Sequence, residues 1–280
     1  MRIPAKSCLL FCVLLASAQS LALSSTALSA TALNSPAADA DTVSSITTEA
    51  WRFHSESEVL IQLPKLEQQA VTTNKLLLVV LGASWCHDSV ALLDKFNQPA
   101  MASALQQRYQ LAFVDVGYLE FGAATMARYQ QPLYYGTPTV LMINPANGQL
   151  LNKADLMHWT NAASLPVTEY QQYFLTDKVP LQYAKAQQQK AGLAAAVQQQ
   201  IRDFEQQQAK TLARAYLELG PLLKAYKESG KPASDEFKQR WDQVKAFRSN
   251  ILPQVHQLQQ QAAALAPGEA LTLPAPAPGF

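Results

Sequence analysis

An uninterrupted apolar run is the feature that most constrains how this chain can fold. Residues 76–83 read LLLVVLGA, without a polar side chain, and lie between Lys75 and Ser84. A strand with one face in water alternates apolar and polar residues, whereas a continuous run of this length is typical of a strand that is buried on both faces. The run therefore predicts a central strand in a sheet that is covered on both sides.

Helical and strand patterns alternate around this run. Apolar residues have helical spacing in 58–70, 88–97, 98–108, 121–130 and 166–176, and strand patterns occupy 109–118 and 139–144, with a hairpin partner starting at Gln149. Residues 144–148 (NPANG) have the composition of the turn that joins this hairpin. The order predicts an α/β fold, a mixed sheet flanked by helices.

The composition changes after about residue 178. The triplet QQQ occurs at 187–189, 198–200 and 206–208, and no strand pattern follows. Apolar residues at helical spacing from Leu193 to Leu223 and from Phe237 to Leu258 predict two helices, separated by the breaker sequence SGKP. We expect an antiparallel helical hairpin that is either docked on the preceding unit or presented to a partner. Its Gln-rich helices could mediate self-association or be a solvated extension.

The N-terminus has the pattern of a secretory signal peptide, predicted over 1–18. Arg2 and Lys6 precede the apolar run CLLFCVLLASA, which ends in a small-x-small cleavage site. We therefore expect an exported protein without a stable membrane anchor, periplasmic in a Gram-negative cell and otherwise secreted. The predicted domains are a disordered linker at 19–45, the α/β unit at 46–177, the helical extension at 178–265 and a disordered tail at 266–280.

The charges are nearly balanced. The chain has 22 Lys and Arg, 21 Asp and Glu, and a formal net charge of +1. The basic residues are scattered and form no patch that would neutralise a phosphate backbone, so we expect no nucleic-acid partner. No cofactor is expected either.

The cysteines single out one position. Cys8 and Cys12 lie in the leader, so cleavage would leave Cys86 as the one thiol of the exported chain. In an oxidising compartment such a thiol pairs with another molecule or reacts. Cys86 follows the apolar strand and precedes a helical pattern, and a helix N-terminus stabilises a thiolate. His87 adds a group that can be cationic beside it, whereas Asp88 opposes the thiolate electrostatically.

Two motifs together resemble the thioredoxin superfamily. One is the sequence WCHDS at 85–89 after the apolar strand, and the other is GTPT at 136–139 before the next strand. The resemblance covers about 50–176 and implies a thioredoxin-like sheet. It also implies that Cys86 is the attacking cysteine, Trp85 the flanking tryptophan and Pro138 a cis-proline. By the same resemblance, the backbone of Thr137 pairs with a bound peptide beside the thiol.

Two departures from the family concern the resolving step. Ser89 stands where the family has its resolving cysteine, and Val80 stands where thioredoxins carry a buried aspartate that helps to deprotonate that cysteine. A mixed disulfide is released by a second thiol, and a serine hydroxyl does not replace it. This chain alone therefore cannot complete a dithiol cycle.

Three interpretations follow. In the first, Cys86, with His87 and Ser89 beside it, is the catalytic site of a monothiol redox protein. This protein would serve cell redox homeostasis and form mixed disulfides with exported proteins or small thiols. In the second, the chain is a non-catalytic binding or chaperone-type module that uses Cys86 as a tether. The third, a metal site of Cys86 and His87, is disfavoured because no cluster supplies further ligands.

Two tyrosines, Tyr134 and Tyr135, directly precede the GTPT motif. They could line a groove or anchor the core.

Overall fold

The computed structural model describes residues 50–190, 193–266 and 269–275. The predicted signal peptide, the predicted linker and both leader cysteines lie outside these residues, as does part of the predicted tail. Within the described residues, no helix is both long enough and apolar enough to cross a bilayer.

A five-stranded mixed sheet forms the centre of the fold, in the order β1-β3-β2-β4-β5. The strands are β1 (His54–Ser55), β2 (Leu76–Gly82), β3 (Tyr109–Asp115), β4 (Thr139–Asn144) and β5 (Gln149–Leu150). Strand β2 pairs in parallel with β3 and antiparallel with β4, so that Val80 lies between Phe113 and Val140. The mixed sheet that the sequence predicts is therefore confirmed.

Strand β2 is central because both of its faces are apolar. Leu77, Val79 and Leu81 belong to one buried cluster, whereas Leu78 and Val80 belong to the cluster on the opposite side of the sheet. Each of these side chains is fully buried. The continuous apolar run thus reports a strand that has no solvent-facing side.

Helices cover both faces of the sheet. They are α1 (Glu56–Thr72), α2 (His87–Phe96), α3 (Pro99–Arg108), α4 (Ala123–Arg128), α5 (Val167–Phe174), α6 (Lys178–Lys190), α7 (Ala195–Ser229) and α8 (Asp235–Ala264). The layer that contains α2, α3 and α5 packs on the Leu78 side, and the layer that contains α1, α4, α7 and α8 packs on the Leu77 side. Two short 3-10 segments, Lys153–Asp155 and His158–Ser164, connect β5 to α5.

The helical extension is docked on the sheet. Leu212, Ala215 and Leu219 of α7 lie in the same buried cluster as the β2 side chains. Helix α8 runs back along α7 after a short loop. The contact between the two helices begins at this loop, where Phe237 near the start of α8 stacks on Tyr226 near the end of α7. Of the two arrangements that the sequence left open for this hairpin, the structure has the docked one. Helix α6, which precedes the hairpin, was not foreseen as a separate helix.

Asn152 completes the outer edge of β4, where β5 covers only two residues. Its Oδ1 accepts from the backbone N–H of Met142 at 2.9 Å, and its Nδ2 donates to the carbonyl of Val140 at 2.8 Å. The same amide also donates to the hydroxyl of Tyr173 at 3.0 Å. Asn152 is 2% exposed, so water does not serve these backbone groups in its place.

Gly220 allows α7 to approach the loop that follows β3. A Cβ placed on this glycine would lie 2.6 Å from the backbone carbonyl oxygen of Tyr118. Such a distance is shorter than any real contact of a Cβ, and a backbone carbonyl has no freedom to rotate away as a side chain does. The helix and the loop therefore meet through their backbones.

A Gly220→Ala substitution is expected to lower the free energy of unfolding by about 1–3 kcal/mol, because the added methyl group separates α7 from the loop. In an exposed helix the same change raises stability by about 1 kcal/mol, so the sign of the effect is diagnostic. Urea titration measures it, with Lys224→Ala on the exposed side of α7 as the control. A stabilised Gly220→Ala variant would contradict the close approach.

Candidate functional site

Cys86 is the N-cap residue of α2. Its backbone is extended, with φ −91° and ψ 116°, and its carbonyl accepts from the N–H of Val90 at 3.0 Å. Three residues separate it from the end of β2, and its own N–H donates to the carbonyl of Ala83 at 3.1 Å. This tight turn places the half-buried sulfur at the N-terminus of the helix, where unpaired N–H groups and the helix dipole favour negative charge.

Thr137 lies against the sulfur, although it comes 51 positions after Cys86 in the sequence. Its hydroxyl donates to Cys86 Sγ at 3.3 Å, and its carbonyl oxygen accepts from Cys86 Sγ at 3.4 Å. The peptide bond between Thr137 and Pro138 is cis. The structure therefore brings together the two motifs that the sequence analysis paired.

The two contacts with Thr137 respond differently to ionisation of the thiol. A protonated Cys86 donates to the carbonyl and accepts from the hydroxyl, so both hydrogen bonds can form together. A thiolate has no proton to donate, and only the hydroxyl of Thr137 remains as its partner. That remaining hydrogen bond is charge-assisted and correspondingly stronger.

Ser89 lies beneath the site, one helical turn after Cys86. It is completely buried, and its hydroxyl has no hydrogen-bond partner within the part of the chain that the structure describes. The hydroxyl faces the end of β2, where a Cβ on Gly82 would lie 2.9 Å from Ser89 Oγ. Val80 is also fully buried, within the apolar cluster below α2. No carboxylate stands at the position where the family has its buried aspartate.

A comparison with protein families identifies the part of the chain that carries these motifs. A family model described as thioredoxin-like matches residues 59–145, which include the β2–α2 turn and both site motifs. Residues 59–145 therefore form a thioredoxin-like domain. A crystal structure of a disulphide isomerase from Xylella fastidiosa Temecula1 is 21% identical, covering 44% of this chain and 92% of that one, with a TM-score of 0.40. No curated protein sequence matches the chain.

Trp85 of the thioredoxin-like domain forms one wall beside Cys86. Its indole Nε1 donates to the carbonyl of Gly117 at 2.7 Å, and its ring stacks on Tyr118 with centroids 6.3 Å apart. Both contacts lie in the loop after β3, which Gly220 also touches. Trp85 is half-buried, so its side chain is fixed by these contacts and still partly exposed to solvent.

His87 and Asp88 have different surroundings in the thioredoxin-like domain. The imidazole of His87 is exposed and forms no hydrogen bond or ion pair within the described ranges. Asp88 Oδ1 accepts from the backbone N–H of Ala163 at 2.9 Å, which ties α2 to the second 3-10 segment. Asp88 is therefore a structural link, and its charge is held beside that segment.

Tyr134 and Tyr135 anchor the helical extension and do not line an open groove. Tyr134 stacks on Tyr216 of α7 with centroids 5.4 Å apart, and the hydroxyl of Tyr135 donates to Glu205 of α7 at 2.9 Å. Both tyrosines are buried, and burial raises the pKa of each phenol well above its ordinary value. Of the two roles that the sequence allowed, the structure favours core anchoring.

Glu205 is the residue of this region that sequence reasoning missed. It sits between Gln-rich triplets in an amphipathic helix, and a lone glutamate there has the pattern of a solvated side chain. No signal in the sequence distinguishes it, since its partners are remote from α7.

The described residues also contain no group of three or more His, Cys, Asp or Glu side chains that could hold a metal ion.

Proposed function

We propose that this chain takes part in thiol–disulfide chemistry through Cys86, which acts as a single nucleophile. The observation that carries the proposal is the contact between Cys86 Sγ at the start of α2 and both polar groups of Thr137. A half-buried sulfur with a hydroxyl donor and a helix N-terminus beside it is suited to carry negative charge. The thioredoxin-like domain supports the same class of chemistry.

The proposed reaction has two steps. The Cys86 thiolate attacks one sulfur of a partner's disulfide, the S–S bond breaks, and the other partner sulfur leaves as a thiolate. The product is a mixed disulfide between Cys86 and the partner. An external thiolate then attacks the partner's sulfur, forms a new disulfide with it and returns Cys86 as a thiolate. The exchange is balanced and requires no external oxidant.

The serine at position 89 is the reason why release of the mixed disulfide needs a thiol from another molecule. A buried hydroxyl has neither the nucleophilicity nor the access to attack the mixed disulfide, so the second thiol must come from another molecule. We propose exported proteins and small thiols as the partners, and export itself rests on the leader pattern at 1–18. His87, exposed at the first residue of α2, would add positive charge beside the sulfur when it is protonated.

The proposal predicts that Cys86 is a reactive thiol. We expect iodoacetamide to alkylate it at neutral pH about tenfold faster in the folded protein than in the urea-unfolded chain, because only the folded chain presents the helix N-terminus and Thr137 to the sulfur. Peptide mass spectrometry reads the labelling of Cys86 separately from that of Cys8 and Cys12. Equal or slower labelling of the folded protein would contradict the redox proposal.

Trapping in cells tests the same proposal from the partner's side. Acid quenching followed by alkylation should preserve adducts of this protein that disappear on reduction. The adducts should be absent from a Cys86→Ala variant and present in the wild type. Their absence from both would leave no role for disulfide exchange.

A second candidate function is a non-catalytic binding module that docks its partner beside Thr137 and Pro138, with Cys86 as an additional tether. The hydrogen bond from the Cys86 thiol to the Thr137 carbonyl favours docking without covalent exchange, because only the protonated thiol makes it and attack on a disulfide requires the thiolate. The two candidates separate in the Cys86→Ala variant. Retained biological function in that variant would favour the binding module, whereas loss of function with retained folding would favour thiol chemistry.

A further inference from the structure

Glu205 is a charged side chain inside the interface between α7 and the thioredoxin-like domain. It is only 3% exposed. Its Oε1 accepts from Gln131 Nε2 at 3.0 Å and from the hydroxyl of Tyr135 at 2.9 Å, and its Oε2 pairs with Lys153 Nζ. A buried carboxylate is tolerated only where partners of this kind replace water. All three partners lie outside the helical extension, so the carboxylate joins the extension to the segments before β4 and after β5.

The Tyr135 contact leads directly to the Cys86 site. Tyr135 precedes Thr137 by two residues, and the one residue between them, Gly136, is buried and closely packed. A Cβ on Gly136 would lie 2.6 Å from Thr160 Cγ2, and the Gly136 carbonyl accepts from Thr139 Oγ1 at 2.7 Å. A displacement of Tyr135 therefore cannot be absorbed by a loose segment before it reaches Thr137.

A second contact of α7 reaches the preceding residue. Tyr216 stacks on the ring of Tyr134, and its hydroxyl donates to the backbone carbonyl of Tyr134 at 3.4 Å. Helix α7 thus holds two consecutive residues of this segment, one through a ring and one through a carboxylate. Of these contacts, the one with Glu205 is the contact that involves the hydroxyl of Tyr135.

We infer that Glu205 is a positioning residue for the Cys86 site: through Tyr135, it holds Thr137 where its hydroxyl donates to the sulfur. The effect of Glu205 on the reactivity of Cys86 rests on the proposed function, whereas its effect on the position of Thr137 does not. The helical extension, which lies outside the region matched by the family model, thereby sets the geometry of the reactive centre.

The sequence offers a matched pair of variants. Tyr135→Phe deletes the hydroxyl that binds Glu205 and retains the ring. Tyr134→Phe makes the same deletion at the adjacent buried tyrosine, whose hydroxyl has no hydrogen-bond partner among the described residues. Both variants lose one buried oxygen atom from the same segment, so they differ mainly in the contact with α7.

Two readouts report on the site itself. The first is the NMR chemical shift of the Thr137 methyl group, which reports position without any reaction. The second is the alkylation rate of Cys86 together with the ultraviolet absorbance of its thiolate. We expect Tyr135→Phe to shift the methyl resonance, to reduce the thiolate absorbance and to slow alkylation about fivefold, as for the loss of one hydrogen bond. Tyr134→Phe should leave the methyl resonance in place and the rate within about twofold of the wild type.

A Glu205→Gln variant, alone and combined with Tyr135→Phe, completes a double-mutant cycle. If the carboxylate acts through Tyr135, the double variant should shift the Thr137 methyl resonance no further than the larger of the two single variants does. Indistinguishable methyl shifts in Tyr135→Phe and Tyr134→Phe would overturn the inference, and so would additive effects in the double variant. An unreactive wild-type Cys86 would instead contradict the proposed function, and the methyl shift would still decide the positioning role.

Discussion

A Ser89→Cys variant is expected to form an internal disulfide with Cys86 and to release mixed disulfides without an external thiol. Residues 86 and 89 are the N-cap and third residues of α2, and Cα atoms three residues apart on a helix lie within the range of about 4.4–6.8 Å that a disulfide spans. Ser89 has no hydrogen bond to lose among the described residues, and the exchange of oxygen for sulfur changes little volume.

The lifetime of a mixed disulfide measures the effect. We expect the adduct of the Ser89→Cys variant to decay at least about 100-fold faster than that of the wild type, because the resolving thiol is now intramolecular. Mild oxidation should also remove two hydrogen atoms from the mass and abolish the free thiols at both positions. Ser57→Cys on the exposed side of α1 supplies a control with the same number of thiols. An unchanged adduct lifetime would show that the two side chains are not arranged for exchange.

Asn152→Ala is expected to cause the largest loss of stability among the substitutions considered. The variant would leave the Met142 N–H and the Val140 carbonyl without partners at a buried edge of β4, and it would open a cavity beside Tyr173. Together these effects should lower the free energy of unfolding by about 3–5 kcal/mol. An aspartate at this position would still accept from Met142 but could not donate to Val140, so Asn152→Asp should be destabilising as well.

Urea titration of Asn152→Ala and Asn147→Ala separates this role from a general effect of removing an asparagine. Asn147 lies in the exposed turn between β4 and β5, where its side-chain amide forms hydrogen bonds with Gln149. Its replacement should change the free energy of unfolding by about 0.5–1 kcal/mol. Similar values for the two variants would contradict the assignment of Asn152 as the partner of the β4 edge.

The sequence predicts the sheet well because its signal is local and physical. The run from Leu76 is apolar on both faces, and only a strand with helices on each side satisfies it. The turn at 144–148 and the helices α1 to α5 are predicted from patterns that are equally local. The pairing of Cys86 with Thr137 came from a resemblance, since no periodicity relates two residues so far apart.

The parts that the sequence did not predict depend on long-range contacts. In the sequence, Glu205 and Asn152 cannot be distinguished from other polar residues, because their importance comes from buried partners elsewhere in the chain. The 3-10 segments between β5 and α5 carry no clear periodicity, yet they support Gly136 and hold Asp88. Tyr134 and Tyr135 left two roles open because a buried aromatic residue and a groove-lining one have the same local sequence.

The buried layer that α7 shares with β2 determines how much of the chain behaves as one folding unit. Leu212, Ala215 and Leu219 fill the same apolar cluster as Leu77 and Val79, with no solvated gap between them. A fragment that ends near residue 145, where the match to the family model ends, would expose to water the part of this face that α7 and α8 cover. We therefore expect cooperative unfolding to extend over more of the chain than the stretch that the family model matches.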